Sequence, residues 1–277
     1  MIGAGTIKLK DDEFAELSDI IYKHSGITFS ATKKYLLENR LSRRIQELNF
    51  NSFKDYIYYL KYDIKKMQEM ITLLNLVTIN ETYFLRERPQ MDYLVNKVIP
   101  ELISNGKRSI KIWSAASSTG EEPYSIAILL KESGLLGKIR VDIFASDINT
   151  EVLETAKKGE YRTVSFRGVP PAIINKYFEK DGFIYKLSPE IKSMVTFFKA
   201  NLVERMASSR VGTADVIFCR NVLIYFDIPA KQKVMEMFYS TLAPNGFLFL
   251  GHSETLNKIT DKFKMLNFGG GIVYIKE

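Results

Sequence analysis

Between residues 11 and 100 apolar side chains recur at helical spacing. Phe14, Leu17, Ile20 and Ile21 fall on one face, as do Leu37, Leu41, Ile45 and Leu48 in the next segment. Asn49, Asn51 and Ser52 break the run, and 53–61 and 65–75 continue it. A further helix is expected over 86–100, closed by Pro100. From residue 109 the period changes. Short apolar, β-prone runs stand at 110–114, 141–145, 195–199, 216–219, 247–251 and 272–275. Helical patterns at 120–133, 149–158 and 230–242 alternate with them. Such alternation predicts an α/β domain with a mostly parallel sheet behind an all-helical N-terminal unit. The stretch 181–198 interrupts it. Its runs 183–187 and 194–198, parted by Ser188 and Pro189, predict a small antiparallel insertion.

The segment 110–127, IKIWSAASSTGEEPYSIA, carries the most chemistry. An apolar strand ends in small residues, turns through Ser117, Ser118, Thr119 and Gly120, and enters a helix at Glu121 and Glu122. Small residues let the backbone approach a cofactor closely. Carboxylates at a helix start suit the helix dipole but repel a pyrophosphate. The turn therefore suits a nucleoside without phosphates, and a sulfonium such as S-adenosylmethionine better than NAD or ATP. The absence of G-x-G-x-x-G also speaks against a dehydrogenase.

Three further constellations follow. Asp147 closes the second strand, where an acidic side chain can accept hydrogen bonds from ribose hydroxyls, or instead cap the next helix. The segment 80–86, NETYFLR, lies where the helical and α/β patterns meet, and its Arg86 can clamp a carboxylate in two-pronged fashion. Its spacing equally fits a helix cap followed by core aromatics. The segment 215–227, DVIFCRNVLIYFD, reads as a strand ending in Cys219, Arg220 and Asn221, with Tyr225 beyond it. Polar side chains there face the ligand crevice of an open α/β sheet. Cys219 has no histidine near it in sequence and reads as a small core residue; His24 and His252 stand alone.

The chain has 277 residues and a formal charge of +7, which suits an acidic partner. Part of that charge, Lys33, Arg40, Arg43 and Arg44, falls on one arc of a helix beside the inward-facing leucines. A single cysteine excludes an intramolecular disulfide, and two histidines give no metal cluster. No cationic leader and no apolar run of about 18 residues is present, so a soluble, cytoplasmic protein without membrane insertion is expected.

Taken in order, NETYFLR, WSAASSTGEEPYSIA, ASDIN, FCRNVLIYFD and GHSE resemble the CheR family of chemotaxis receptor glutamate O-methyltransferases across nearly the whole chain. The resemblance implies a helical receptor-interacting domain at 1–85 and a linker helix at 86–100. It implies a seven-stranded, Rossmann-like methyltransferase domain at 101–277, with a small β insertion at about 181–198. It implies S-adenosylmethionine as cofactor, S-adenosylhomocysteine as product, and the cytoplasmic domain of methyl-accepting chemotaxis receptors as partner. By resemblance, Asn80, Thr82, Arg86, Glu122, Asp147, Asn201, Leu202, Arg220 and Asn221 line the cofactor site. Arg86 and Tyr225 lie nearest the reacting centre, and Lys33, Arg40, Arg43 and Arg44 meet the receptor. Sequence alone does not choose between Glu121 and Glu122; Glu122 is favoured.

Family members tethered to a receptor's C-terminal pentapeptide tend to carry a longer, glycine-containing loop than 179–182 here, so weak or no pentapeptide binding is expected. Two other classes differ in recognisable ways. Nucleic-acid amine methyltransferases use an Asn/Asp-Pro-Pro-aromatic turn, whereas residues 221–224 hold no proline. A non-catalytic cofactor-binding module would have no need of Arg86 and Tyr225.

Overall fold

The structure, a computed structural model, describes residues 7–277. It divides into two compact units. One runs to Ile79 and takes in Tyr225–Asp227; the other holds Asn80–Ile224 and Ile228–Glu277.

The first unit is built from α1 (Asp11–Ser25), α2 (Lys34–Glu47), α3 (Phe53–Tyr62) and α4 (Lys66–Val77). The apolar stripes read from sequence face its interior, with Leu17, Ile21, Leu37, Leu41, Ile45, Phe53, Tyr56 and Leu73 all buried. Gly26, at φ 74°, ends α1, and the Ser52 hydroxyl caps α3 by accepting from the Asp55 N–H at 3.2 Å. A short strap from late in the chain completes this unit. Ile27 bridges Phe226 in antiparallel fashion, and the Thr28 N–H and hydroxyl donate to the Tyr225 carbonyl at 2.9 and 3.1 Å.

The second unit begins with the segment that carries NETYFLR. Behind it run α5 (Arg88–Tyr93), a π-helical turn (Leu94–Val98) and α6 (Ile99–Ser104). Pro100 does not close this helix as expected. It lies just past the π-helical turn, inside a helical run that continues to Ser104. Met91, Leu94, Val98 and Ile99 belong to the unit's core.

The remaining elements are β1 (Ser109–Ala115), α7 (Glu121–Glu132), β2 (Arg140–Asp147), α8 (Thr150–Lys158), β3 (Glu160–Tyr161), α9 (Pro171–Tyr177), β4 (Phe178–Asp181), β5 (Ile184–Leu187), α10 (Pro189–Ser193), β6 (Val195–Lys199), β7 (Ala214–Cys219), α11 (Ile228–Thr241), β8 (Leu242–Leu250), β9 (Phe263–Asn267) and β10 (Ile272–Lys276). Seven strands form one sheet in the order β6-β2-β1-β7-β8-β10-β9. All its pairs are parallel except those of β10, which runs against β8 and β9. From β1 the chain winds outward to β2 and β6, then returns to β7 on the other side. The reversal point between β1 and β7 is where open α/β sheets leave a ligand crevice. Helices cover both faces, so β7 is buried at every position.

The structure corrects one further sequence expectation and adds one strand to those read from sequence. Residues 194–198 do not pair with 183–187. The second strand of the insertion is β4, and β5 lies between β3 and β4 in a separate antiparallel sheet. β6 instead joins the main sheet beside β2, pairing from Ile143 with Val195 to Asp147 with Lys199. An edge strand with two buried positions gives the same short apolar run as a hairpin arm. β9 has no counterpart among the runs read from sequence, because only Phe263 along it is buried and no alternation shows.

Candidate active site

The β1–α7 turn is tightly wound. Ala116, Ser118 and Gly120 adopt left-handed φ values of 67°, 49° and 92°. Gly120 is required twice over: by its φ, and because a Cβ there would lie 2.9 Å from the Ala156 Cβ. The Ser117 N–H donates to the Ser146 carbonyl at 2.8 Å, and the Ser118 hydroxyl to the Asn80 carbonyl at 2.8 Å. The acidic pair then diverges. Glu121 accepts from the hydroxyls of Thr119 at 2.6 Å and Ser165 at 3.0 Å, which occupies both its oxygens. Glu122 accepts from the Ser114 hydroxyl at 2.6 Å and lies 3.3 Å from Arg220.

Asp147 ends β2 facing this turn. Its Oδ2 accepts from the Ser118 N–H at 2.8 Å and its Oδ1 from the Asn149 N–H at 2.9 Å. It does not cap α8; Asn149 does, accepting from the Glu151 and Val152 N–H groups. Asn201 and Leu202 follow β6, where the Ala200 N–H donates to the Asp147 carbonyl at 3.0 Å. Both are buried, and Asn201 Nδ2 donates to Glu204 at 3.0 Å.

The NETYFLR segment is strapped down at its centre. Phe84 sits among Tyr161, Phe166 and Phe178 with ring centroids 4.8 to 5.3 Å away. Its N–H donates to the Ser165 carbonyl at 2.9 Å, and the Leu85 N–H to the Ser125 hydroxyl at 2.8 Å. Asn80 and Thr82 precede this anchor and Arg86 follows it. Leu85 and Glu87, on either side of Arg86, both have left-handed φ, 58° and 51°. Such conformations are costly for residues with side chains and collect at functional sites. The half-buried Arg86 side chain makes one hydrogen bond, to the Glu81 carbonyl at 3.1 Å, and lies 5.6 Å from the Tyr83 ring centre.

Arg220, after β7, is buried. Its Nη2 donates to the Arg86 carbonyl at 2.5 Å, and its ends approach Glu87 at 3.5 Å and Glu122 at 3.3 Å. Nε and Nη1 make no hydrogen bond. Asn221 is left-handed at φ 58° and is gripped by Glu87 and Glu254. These two carboxylates escaped the sequence reading. The available signal was GHSE, an acid three residues past the glycine that closes β8. Cys219 is fully buried, and burial pushes its thiol far up, so it is no nucleophile.

Burial raises the carboxyl groups of Glu122, Glu121 and Asp147 above their ordinary values. Arg220 and Ser114 oppose this at Glu122, and the amides of Asn149 and Ser118 at Asp147. A raised acid gains its proton on acidification before an exposed one does, whose value is near 4. Affinity for S-adenosylhomocysteine is therefore expected to weaken at a pH above that range, as the acceptors of Glu122 and Asp147 are lost. The apo fold feels the opposite sign. In the fold these carboxyls hold protons more tightly than in the unfolded chain, so their contribution improves as pH falls through the folded values. Calorimetric titrations from pH 7.5 down to 4 check this; affinity unchanged over the whole range would contradict it.

The other sequence-named residues lie in the first unit. Tyr225 is part of its strap. Arg40 donates to the carbonyls of Val77 at 2.6 Å and Thr78 at 3.3 Å, at the end of α4. Arg44 forks onto Glu69 at 2.9 and 2.6 Å, and the Tyr56 hydroxyl donates to the same carboxylate at 2.9 Å. Lys33 and Arg43 are exposed, the latter paired with Glu47 at 3.0 Å. The four cations thus split into two that tie α2 to α4 and two that face outward. Among the described residues no group of acidic, histidine and cysteine side chains is placed to hold a metal ion.

The carboxyl edge of the sheet fits S-adenosylmethionine. Buried Ser117 Oγ, Arg220 Nε and Arg220 Nη1 have no hydrogen-bond partner, and Glu122 and Asp147 offer acceptors suited to a cation and to hydroxyls. Comparison with known proteins bears on the same edge. Residues 80–271 match the family described as CheR methyltransferase, SAM binding domain, and residues 12–78 match CheR methyltransferase, all-alpha domain. Chemotaxis protein methyltransferase 2 of Vibrio cholerae is 38% identical over 274 residues, covering 98% of this chain and 94% of the relative. Chemotaxis protein methyltransferase 1 of Pseudomonas aeruginosa is 36% identical, covering 91% and 93%, and the Borreliella burgdorferi protein 38%, covering 90% of each. With both family descriptions matched in order and relatives this similar along nearly its whole length, the chain belongs to the CheR methyltransferase family.

Proposed function

We propose that this chain transfers a methyl group from S-adenosylmethionine to glutamate side chains on the cytoplasmic domain of methyl-accepting chemotaxis receptors, forming methyl esters. The observation that carries this is one site holding two acidic acceptors, the half-buried Glu122 and the buried Asp147, together with a lightly anchored guanidinium at Arg86. Bound S-adenosylmethionine supplies the methyl group on a positively charged sulfur. The receptor glutamate, whose side chain ordinarily titrates at about pH 4.3, is already ionised at neutral pH, so no general base is required. That agrees with a site whose only thiol is buried and inert. The protein's task is to orient two opposite charges and exclude water, which would stabilise them apart.

Arg86 orients the incoming carboxylate or the carboxylate of the cofactor, and Tyr225 positions the nucleophile or the sulfonium. Glu122 is the acid that faces the cofactor, since its side chain stays partly exposed whereas Glu121 is buried and accepts from two hydroxyls. Asp147 receives the ribose; Asn80, Thr82, Asn201, Leu202, Arg220 and Asn221 complete the lining. The receptor is met by the basic side of α2, with Lys33 and Arg43 outward and Arg40 and Arg44 holding the helix in place. Nucleic acid is not a substrate, and the enzyme works in the cytoplasm. No described helix is long and apolar enough to cross a membrane.

β4 and β5 are joined through Gly182 and Phe183, a two-residue connection. So short a turn leaves little chain to fold over a peptide. Titration calorimetry with a receptor C-terminal pentapeptide is expected to show no low-micromolar binding, and such binding would overturn that expectation. The activity itself is tested by transfer of labelled methyl to receptor cytoplasmic fragments, read as base-labile methanol. Label that vanishes when the receptor glutamates become alanine supports the proposal. Base-stable label, or none while cofactor binding is intact, defeats it.

A further inference from the structure

Asn221 is held from two directions by carboxylates. Glu254, in the loop after β8, accepts from three backbone amides at once. Its Oε2 takes the Asn221 N–H at 2.7 Å and the Gly251 N–H at 2.8 Å, and its Oε1 takes the Leu223 N–H at 2.7 Å. Glu87, beside Arg86, accepts from Asn221 Nδ2 at 3.3 Å and from the His252 N–H at 3.1 Å. Hydrogen bonds to an ionised acceptor are about twice as strong as neutral ones. Here they hold Asn221 in a left-handed conformation that a residue with a side chain adopts at a cost.

The packing around this grip leaves no slack. A Cβ on Gly251 would lie 2.7 Å from Glu254 Oε2, 2.8 Å from Asn221 Nδ2 and 2.9 Å from the Asn221 backbone nitrogen. Glycine stands there for space rather than for an unusual φ, and the space is what lets the carboxylate reach both loops. The grip also fixes the chemistry that Asn221 shows. A carboxylate only accepts, so the Asn221 branch turned to Glu87 is the NH2, and the other branch is a carbonyl oxygen.

We propose that Glu254 and Glu87 are positioning residues that lock Asn221 so that it offers the cofactor an acceptor, suited to the ammonium or ring amine of S-adenosylmethionine. This rests on the S-adenosylmethionine reading given above. Neither carboxylate is a ligand in this proposal; Glu254 acts through Asn221, and Glu87 through Asn221 and the Arg220 guanidinium 3.5 Å away. The loops after β7 and β8 are thereby joined before any ligand arrives, so binding need not order them.

The test combines amide hydrogen exchange on the cofactor-free full chain with S-adenosylhomocysteine calorimetry and steady-state kinetics. In the wild type the Asn221, Leu223 and Gly251 amides are expected to exchange slowly. Glu254→Ala is expected to speed these three at least tenfold while the β1 and β2 amides keep their protection. It should weaken S-adenosylhomocysteine at least tenfold and raise KM for S-adenosylmethionine more than it lowers kcat. Glu254→Gln keeps one acceptor oxygen and serves if the alanine variant does not fold; it should fall between. Gly251→Ala, with the carboxylate intact, should move the same three amides. Wild-type protection and affinity in Glu254→Ala, or a uniform loss of protection across the unit, would overturn the proposal. Local loss of protection without S-adenosylhomocysteine binding by the wild type would strike the cofactor reading instead, and with it Asn221 as a ligand.

Discussion

Arg86→Ala is expected to lose methyl transfer by about a hundredfold to a thousandfold, the usual consequence of removing one preorganised donor at a reacting centre, while the protein stays folded. The side chain contributes little to the fold. It makes one hydrogen bond, to the Glu81 carbonyl at 3.1 Å, and its contact with the Tyr83 ring, at 5.6 Å, lies near the limit of useful range. Meanwhile the backbone around it is expensive to arrange, with Leu85 and Glu87 both left-handed and the Arg86 carbonyl held by Arg220. The chain therefore spends effort on the position of a side chain that its core does not use. Arg86→Lys should also suffer, because an ammonium keeps the charge but cannot reproduce the planar fork. Turnover measured beside a melting curve decides the matter. A well-folded Arg86→Ala variant with full activity would remove Arg86 from the mechanism.

Arg220→Ala is expected to act in the opposite way, damaging fold and cofactor binding together. The guanidinium is only 1% exposed and lies between Glu87 at 3.5 Å and Glu122 at 3.3 Å. Removing one member of a buried charged group leaves the others uncompensated, at a cost of about 3–5 kcal/mol. The cost should shrink as pH falls, because burial already raises Glu122 and a protonated carboxyl needs no counterion. Urea unfolding at pH 7.5 and 5.5 reads both effects. Adding Glu122→Gln to Arg220→Ala should recover part of the loss, which a double-mutant cycle measures. An Arg220→Ala variant as stable as the wild type at pH 7.5 would mean that the carboxylates are compensated elsewhere.

The contrast between these arginines marks where sequence reading stops. The helical stripes of the first unit and six of the seven strands of the sheet were legible because burial imposes a period, and most of the residues that set it are buried. Asp147 and the β1–α7 turn were legible because small and acidic residues at a strand end have few uses. What Arg86 and Arg220 each do was not legible, because both are arginines near apolar runs and only the fold buries one of them. Glu254 was hidden for a related reason. Its partners are backbone amides, which every sequence supplies everywhere, and only the meeting of two strand ends selects three of them. The fate of 194–198 depended on a partner about fifty residues away, β2, and no local pattern contains that information. The basic arc of α2 was visible as an arc, but its division into outward and inward cations depended on α4.

The chain changes unit three times, at 79–80, at 224–225 and at 227–228. The helical bundle is therefore not a removable module. A gene cut after codon 79 would take from the bundle the Tyr225 carbonyl that serves Thr28 and the residue that bridges Ile27. It would leave the other fragment carrying Phe226, 8% exposed in the intact chain, without its cover. Grafting experiments that exchange bundles between relatives must move a tripeptide along with the helices. A graft that omits it would be read as a loss of function when the fault lies in an unfinished fold.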